Sequence, residues 1–123
     1  VAFGHDCVMD PWYALGSGDM LEVAHMGLHV AQMTGQAAMR QCFEAVTSVP
    51  ARILGLNGYG LEVGCHADLV LLQARDPIEA IRLRAQRLAV WRRGQLVASA
   101  PPAVTTLHLP GRPSQQTFQH QLR

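Results

Sequence analysis

The sequence predicts an α/β fold, on three observations. A short apolar run, Val1-Ala2-Phe3-Gly4-His5, opens the chain and reads as a buried strand. Apolar residues then recur at helical spacing up to about Leu54. From Ala67 on, compact runs of branched residues replace that spacing with the shorter period of strands. One strand at the front cannot form a sheet alone, and the apolar helix after it needs a surface to cover. The chain also begins without a Met or a leader. The expectation is therefore the back part of a larger α/β protein.

Element by element, Val1 to His5 is the first strand, with Gly4 allowing close backbone approach. Asp6 to Gly18 is a loop, marked by Asp10-Pro11 and Gly16-Ser17-Gly18. Asp19 is a helix cap, with Glu22 completing a capping box. The helix runs from about Met20 to Met33 and is apolar nearly all round, so it is expected to be buried on several sides, with Gly35 ending it. A second helix is expected from Gln36 to Val46. A short third follows Thr47 or Ser48, with Pro50 in its first turn and Gly55 past its end. Ala67 to Leu72 is a strand, Asp76-Pro77 opens a helix to about Arg84, and Leu88–Trp91 and Gln95–Ala98 form a hairpin around Arg92-Arg93-Gly94. Val104 to Leu109 is a last strand, and the polar tail from Pro110 has little to bury.

Composition excludes several classes. A net charge of +1 gives no electrostatic case for nucleic acid or an anionic membrane. No apolar run approaches the ~18 residues of a membrane span. Charged residues make up only 15%, so more of the surface than usual is expected to face protein. Cys7, Cys42 and Cys65 are widely spaced and odd in number, which reads as reduced thiols in the cytoplasm.

A few residues could carry chemistry. Asp6, at a strand tip, can ligate a divalent metal or accept a proton; it can equally be a turn residue. Alternation along the strand turns His5 to the opposite face, where it packs or supports. His25 and His29 share a helix face, but Met26-Gly27-Leu28 between them offers no glutamate, and packing is the better reading. Trp12 and Tyr13 can wall a flat substrate or simply seal the loop. Arg82, Arg84, Arg87, Arg92 and Arg93 read as a solvated face.

These residues also carry a resemblance. Phe3-Gly4-His5-Asp6, Asp10-Pro11-Trp12-Tyr13, Leu15-Gly16, Met20-Leu21 and His25-Met26-Gly27-Leu28-His29-Val30 resemble the C-terminal third of the bacterial cytosine deaminases of the amidohydrolase superfamily. Ala51-Arg52, Leu54, Tyr59-Gly60, Gly64, Ala67-Asp68-Leu69-Val70, Arg93-Gly94, Val97-Ala98-Ser99 and Thr105-Thr106 continue it. The resemblance implies the last strand and helices of a (β/α)8 barrel over residues 1–60. It implies accessory β-sandwich strands with one short helix over 61–110, and a flexible tail over 111–123.

It further implies hydrolytic deamination of cytosine, or a related ring amine, by a metal-activated hydroxide. Asp6 would ligate one iron or zinc ion and shuttle protons, and Trp12 would line the base pocket. Cys7 would lie beside the pyrimidine, where the best-known members carry a second acid, so substrate preference is open. The family's His-x-His pair, its further histidines and its catalytic glutamate are not among these residues. The isolated chain is therefore expected to be inactive, and the intact protein to be a cytoplasmic homo-oligomer of pyrimidine salvage with a small-molecule substrate. The alternatives are an amidohydrolase acting on an aminotriazine or similar cyclic amidine, and a non-catalytic assembly domain derived from the same fold.

Overall fold

A computed structural model describes residues 1–114. Its elements are α1 (Met20–Val30), α2 (Gln36–Glu44), α3 (Ser48–Ile53), β1 (Leu69–Leu72), α4 (Pro77–Leu83), β2 (Arg87–Arg92) and β3 (Gln95–Ser99). The chain is thus a small α/β assembly in which helices precede a three-stranded antiparallel sheet of order β1-β2-β3.

Local chemistry explains the helix ends. The Asp19 carboxylate accepts from Leu21 N–H at 2.8 Å and caps α1. The expected capping box closes through an intermediary. Asp19 N–H donates to Ser17 Oγ at 3.2 Å, and the Ser17 hydroxyl donates to Glu22. α1 stops at Val30, short of Met33, because Gln32 turns left-handed at φ 51°. Met33 N–H then returns to Leu28 O at 2.9 Å. Gly35 is not the end of α1; it caps the start of α2. α2 stops at Glu44, and Thr47 precedes α3 with its hydroxyl donating back to Phe43 O at 2.8 Å. Gly55, left-handed at φ 64°, closes α3 as expected. Asp76 caps α4 by accepting from Glu79 N–H at 2.8 Å, with Pro77 in the first turn.

The core lies where α1, α2 and α4 meet. Leu21, Ala24, Cys42, Ala80, Ile81 and Ala85 are buried, with Phe3, Leu28, Met33, Phe43, Val46, Leu72 and Ala74 packed around them. Small side chains dominate this interior, and Ile81 and Cys42 are its largest fully buried groups. α1 is less enclosed than its apolar wheel predicts: Met26 and Val30 are exposed. Arg87, at the start of β2, forms an ion pair with the Asp19 cap of α1 and so ties the sheet to the helices.

In the sheet, Val70 stands opposite Val90, and Val90 opposite Ala98. Arg93 and Gly94 are both left-handed (φ 48° and 80°), which suits a two-residue hairpin between β2 and β3. Asp68 grips that turn: its carboxylate accepts from the Arg92 guanidinium and from Arg93 N–H, while Gly94 N–H donates to Ala67 O at 2.9 Å.

Three expectations fail here. Val1 to His5 is not a strand, because its one backbone bond to another element among the described residues is Phe3 N–H to Ala45 O, 2.9 Å. Val104 to Leu109 forms only a lone bridge at Thr106. The segment before it is held instead by side-chain amides: Gln73 makes two bonds to Ala103, and Gln86 donates to Pro101 O. Gly4 meets nothing within 4 Å; among the described residues the tightest approaches are at Gly16 and Gly27. The expected tail over 111–123 lies largely outside the described residues. Cys7, Cys42 and Cys65 are all free thiols, and no helix among the described residues is long and apolar enough to cross a membrane.

Candidate active site

The opening run is anchored at Phe3. Besides its bond to Ala45, its ring lies against α1, where a Cβ at Gly27 would fall 2.6 Å from Phe3 Cε2. Only glycine admits the ring there. Two residues later the chain makes a sharp reversal: Cys7 N–H donates to His5 O at 2.8 Å, with Asp6 between them at φ 63°. A three-residue turn with positive φ at its centre is rare and strained, and aspartate tolerates it better than most residues. Asp6 therefore sits at the apex of a tight turn with its side chain exposed. Strain of this kind gathers where a side chain must be aimed.

Cys7 and Asp10 complete the near side. The Cys7 thiol reaches Asp6 Oδ2 at 3.7 Å. A hydrogen bond to Asp10, partial burial and the charges of Asp10 and Asp6 together push that thiol up to about 11, so it stays protonated near neutral pH and keeps its S–H as a weak donor. Asp10 Oδ1 accepts from Trp12 N–H (2.9 Å) and Tyr13 N–H (3.0 Å), which holds its carboxyl below the ordinary aspartate range. The same two bonds fix the backbone that carries Trp12. Trp12 itself is 90% exposed.

With no strand here, alternation along a strand does not set the His5 ring; the far end of the loop holds it. Its Nε2 accepts from Gly18 N–H at 3.0 Å, across the whole loop. Its Nδ1 is buried without a partner among the described residues. The His25 and His29 rings meet at a tilt of 53° with centroids 4.6 Å apart, and His29 Nδ1 bonds its own helix at His25 O, 2.8 Å, which fits packing.

Among the described residues no group of three or more His, Cys, Asp or Glu side chains could hold a metal ion. Asp6 fits such an ion as a single donor: its carboxylate is exposed and has only the weak Cys7 thiol as a side-chain partner. Two surface clefts lie elsewhere. One of about 530 Å³ runs between α2 and α4, past Arg40, Arg75, Glu79 and Arg82; the other, of about 400 Å³, lies beside α3 and Tyr59. Neither includes Asp6, Cys7 or Trp12.

Sequence reasoning named Asp6, Cys7 and Trp12, and the structure places all three on the Asp6–Gly18 loop. It missed two long-range partners, the Gly18 amide that holds His5 and the Arg92–Arg93 turn that Asp68 grips. The paired glycines Gly16 and Gly18 were the available signal for the first.

Comparison with known proteins narrows the reading. Residues 1–98 match the model of the amidohydrolase family. The chain is 34% identical to N-isopropylammelide isopropyl amidohydrolase of Pseudomonas sp. strain ADP, over 75% of this chain and 23% of that one. It is 31% identical to pterin deaminase of Rhizobium rhizogenes, over 82% of this chain and 23% of the relative. Among solved structures it is similar to 5-methylcytosine deaminase from Klebsiella pneumoniae bound to 5-fluorocytosine (TM-score 0.79, 34% identity), covering 90% of this chain and 27% of that chain. It is also similar to N-isopropylammelide isopropylaminohydrolase from Burkholderia multivorans (TM-score 0.71, 37% identity), over 75% of this chain and 24% of that chain. This chain thus spans about a quarter of the length of these relatives. It belongs to the amidohydrolase family.

Proposed function

We propose that the chain is the C-terminal part of a metal-dependent hydrolase that deaminates cytosine or a related ring amine. The observation that carries this reading is Asp6, an exposed carboxylate at the apex of a strained turn, in a chain whose relatives are named for cytosine, ammelide and pterin substrates. Residues 1–60 would be the last strand and helices of a barrel, 61–110 sandwich strands with α4, and 111–123 a tail. The many exposed apolar side chains, Trp12, Leu15, Val30, Leu61 and Val63 among them, support packing against further protein or a second copy in the cytoplasm.

Asp6 would hold one divalent ion, iron or zinc, together with ligands from outside the described residues. That ion would supply Lewis-acid activation of water at neutral pH. Asp6 itself would take a proton at a carboxylate oxygen and return it to the substrate ring. Cys7, locked as a neutral donor, would offer a hydrogen bond beside the ring without adding charge. Trp12 would give a flat apolar wall. Cys7 leaves room for a ring other than cytosine, and the ammelide and pterin relatives keep that alternative open.

The test is turnover of cytosine, an alkylaminotriazine and a pterin by the full-length protein. Asp6→Asn should lower kcat by about a hundredfold or more, the scale of a lost acid–base group. Retained activity would remove Asp6 from the chemistry. Turnover by the isolated 123 residues, free of full-length contaminant, would overturn the reading that the other groups come from elsewhere.

A further inference from the structure

The loop from Asp6 to Gly18 carries Asp6, Cys7 and Trp12, yet it contains no helix or strand. Its other side-chain bonds are short in range: Cys7 to Asp6, Asp10 to Trp12 and Tyr13, and Ser17 to Glu22. Among the described residues a single side-chain bond spans it, from Gly18 N–H to His5 Nε2 at 3.0 Å, across 13 positions. The far limb also lies directly on the near one. A Cβ at Gly16 would fall 2.2 Å from Cys7 O, 2.8 Å from His5 Cε1 and 3.0 Å from Val8 Cα, so only glycine fits. Gly18 adopts φ 75°, which glycine takes without penalty. The next residue, Asp19, is fixed by its cap on α1 and by Arg87. The far end of the loop is therefore a firm post.

We propose that His5 is a positioning residue, its imidazole clasping the Asp6–Gly18 loop shut and setting where Asp6 stands. The geometry fixes its tautomer. A backbone N–H can only donate, so Nε2 carries the lone pair and the proton of the neutral ring sits on Nδ1. The clasp links α1, through Gly18 and the ring, to the turn at Asp6. The consequence for catalysis rests on the role proposed above for Asp6; the clasp itself does not.

Three variants in the full-length protein separate a clasp from mere filling. Gln at position 5 can bring an amide oxygen to the place of Nε2, Asn reaches only as far as Nδ1, and Phe fills space without accepting. Amide hydrogen exchange at Gly18, followed by NMR, is the first readout. His5→Asn and His5→Phe should speed it by about tenfold, the loss of one hydrogen bond, and His5→Gln should restore protection. Steady-state kinetics is the second. In His5→Asn and His5→Phe kcat should fall by about tenfold or more with a smaller change in KM, and His5→Gln should recover it. Equal Gly18 exchange in all forms would overturn the clasp, and wild-type kcat in a folded His5→Phe would overturn the positioning of Asp6 by it. If the unaltered protein turns over no ring amine, the functional reading fails, and the Gly18 exchange alone decides the clasp.

Discussion

Arg87 and Asp19, 68 positions apart in sequence, meet in a two-pronged ion pair: Nη2 to Oδ1 at 2.5 Å and Nη1 to Oδ2 at 2.8 Å. Asp19 also caps α1, so one carboxylate serves both the helix and the link to β2. The Arg87 hydrogen bond is the main reason the Asp19 carboxyl titrates below its ordinary range; its backbone bonds to Leu21 and Glu22 add to it.

The sign of the pH effect follows. A carboxyl whose pKa is lower folded than unfolded contributes stability above the unfolded value, about 3.9, and loses it as pH falls through the folded one. Arg87, raised by the same partner, titrates far above the working range. Arg87 is 41% exposed, so solvent screening limits the pair to roughly 0.2–1 kcal/mol. Asp19→Asn keeps a good cap and should lose only about that much, with a flatter acid limb. Asp19→Ala loses the cap as well, for a total of about 1–2 kcal/mol. Urea melts between pH 2 and 7 check both, and equal losses in the two variants would contradict the dual role.

Ile81 sits where α4 packs against α1 and α2 and is 0% exposed. Of the five other buried residues in its cluster, three are alanines, which cannot close over a void. Ile81→Ala should therefore cost about 2–5 kcal/mol and Ile81→Val about 0.5–1.5. Such a loss is a large part of the margin of a typical domain. Thermal melts of the two variants measure it, and near-neutral behaviour of Ile81→Ala would mean that the core is not where it is drawn.

Cys7 should be a slow thiol. Pushed up to about 11 by Asp10 foremost and then by burial and Asp6, it should alkylate about tenfold more slowly at pH 8 than an ordinary thiol. The rate should climb as pH approaches 11. Asp10→Asn removes both the carboxylate acceptor and its repulsion of a thiolate, and should speed the reaction at pH 8. Iodoacetamide labelling mapped by mass spectrometry reads this directly, and an unchanged rate in Asp10→Asn would sink it.

Much of the fold is legible where the determinant is local. Asp19 and Asp76 announce their helices, Gly55 closes one, and Arg93-Gly94 marks the hairpin, because each acts on residues within a turn of itself. Legibility stops where the partner is remote or the residue atypical. Gln32 takes the left-handed position usually given to glycine, so α1 ends before the sequence suggests. Val1 to His5 has the composition of a strand, but strand identity also requires a neighbour. Val104 to Leu109 is likewise strand-like, yet Gln73 and Gln86 hold the segment leading into it by side chain. At the candidate site, the loop that carries Asp6 was legible from Asp10-Pro11 and Gly16-Ser17-Gly18. The bond between His5 and Gly18 was not, since its partners lie 13 positions apart and the glycines at the far end mark a close approach without naming what approaches.

The grip of Asp68 on the β2–β3 turn has a further consequence. In an antiparallel pair a slip of one residue sends every side chain to the opposite face. Here that would exchange Val90 with Trp91 and turn the sheet inside out. Arg93 N–H and the Arg92 guanidinium meet the Asp68 carboxylate only in the native pairing, and Asp68 itself directly precedes β1. One side chain on the approach to the first strand thus acts as an indexing pin for the other two, selecting a single alignment from those that the repetitive Val, Leu and Ala pattern would otherwise allow.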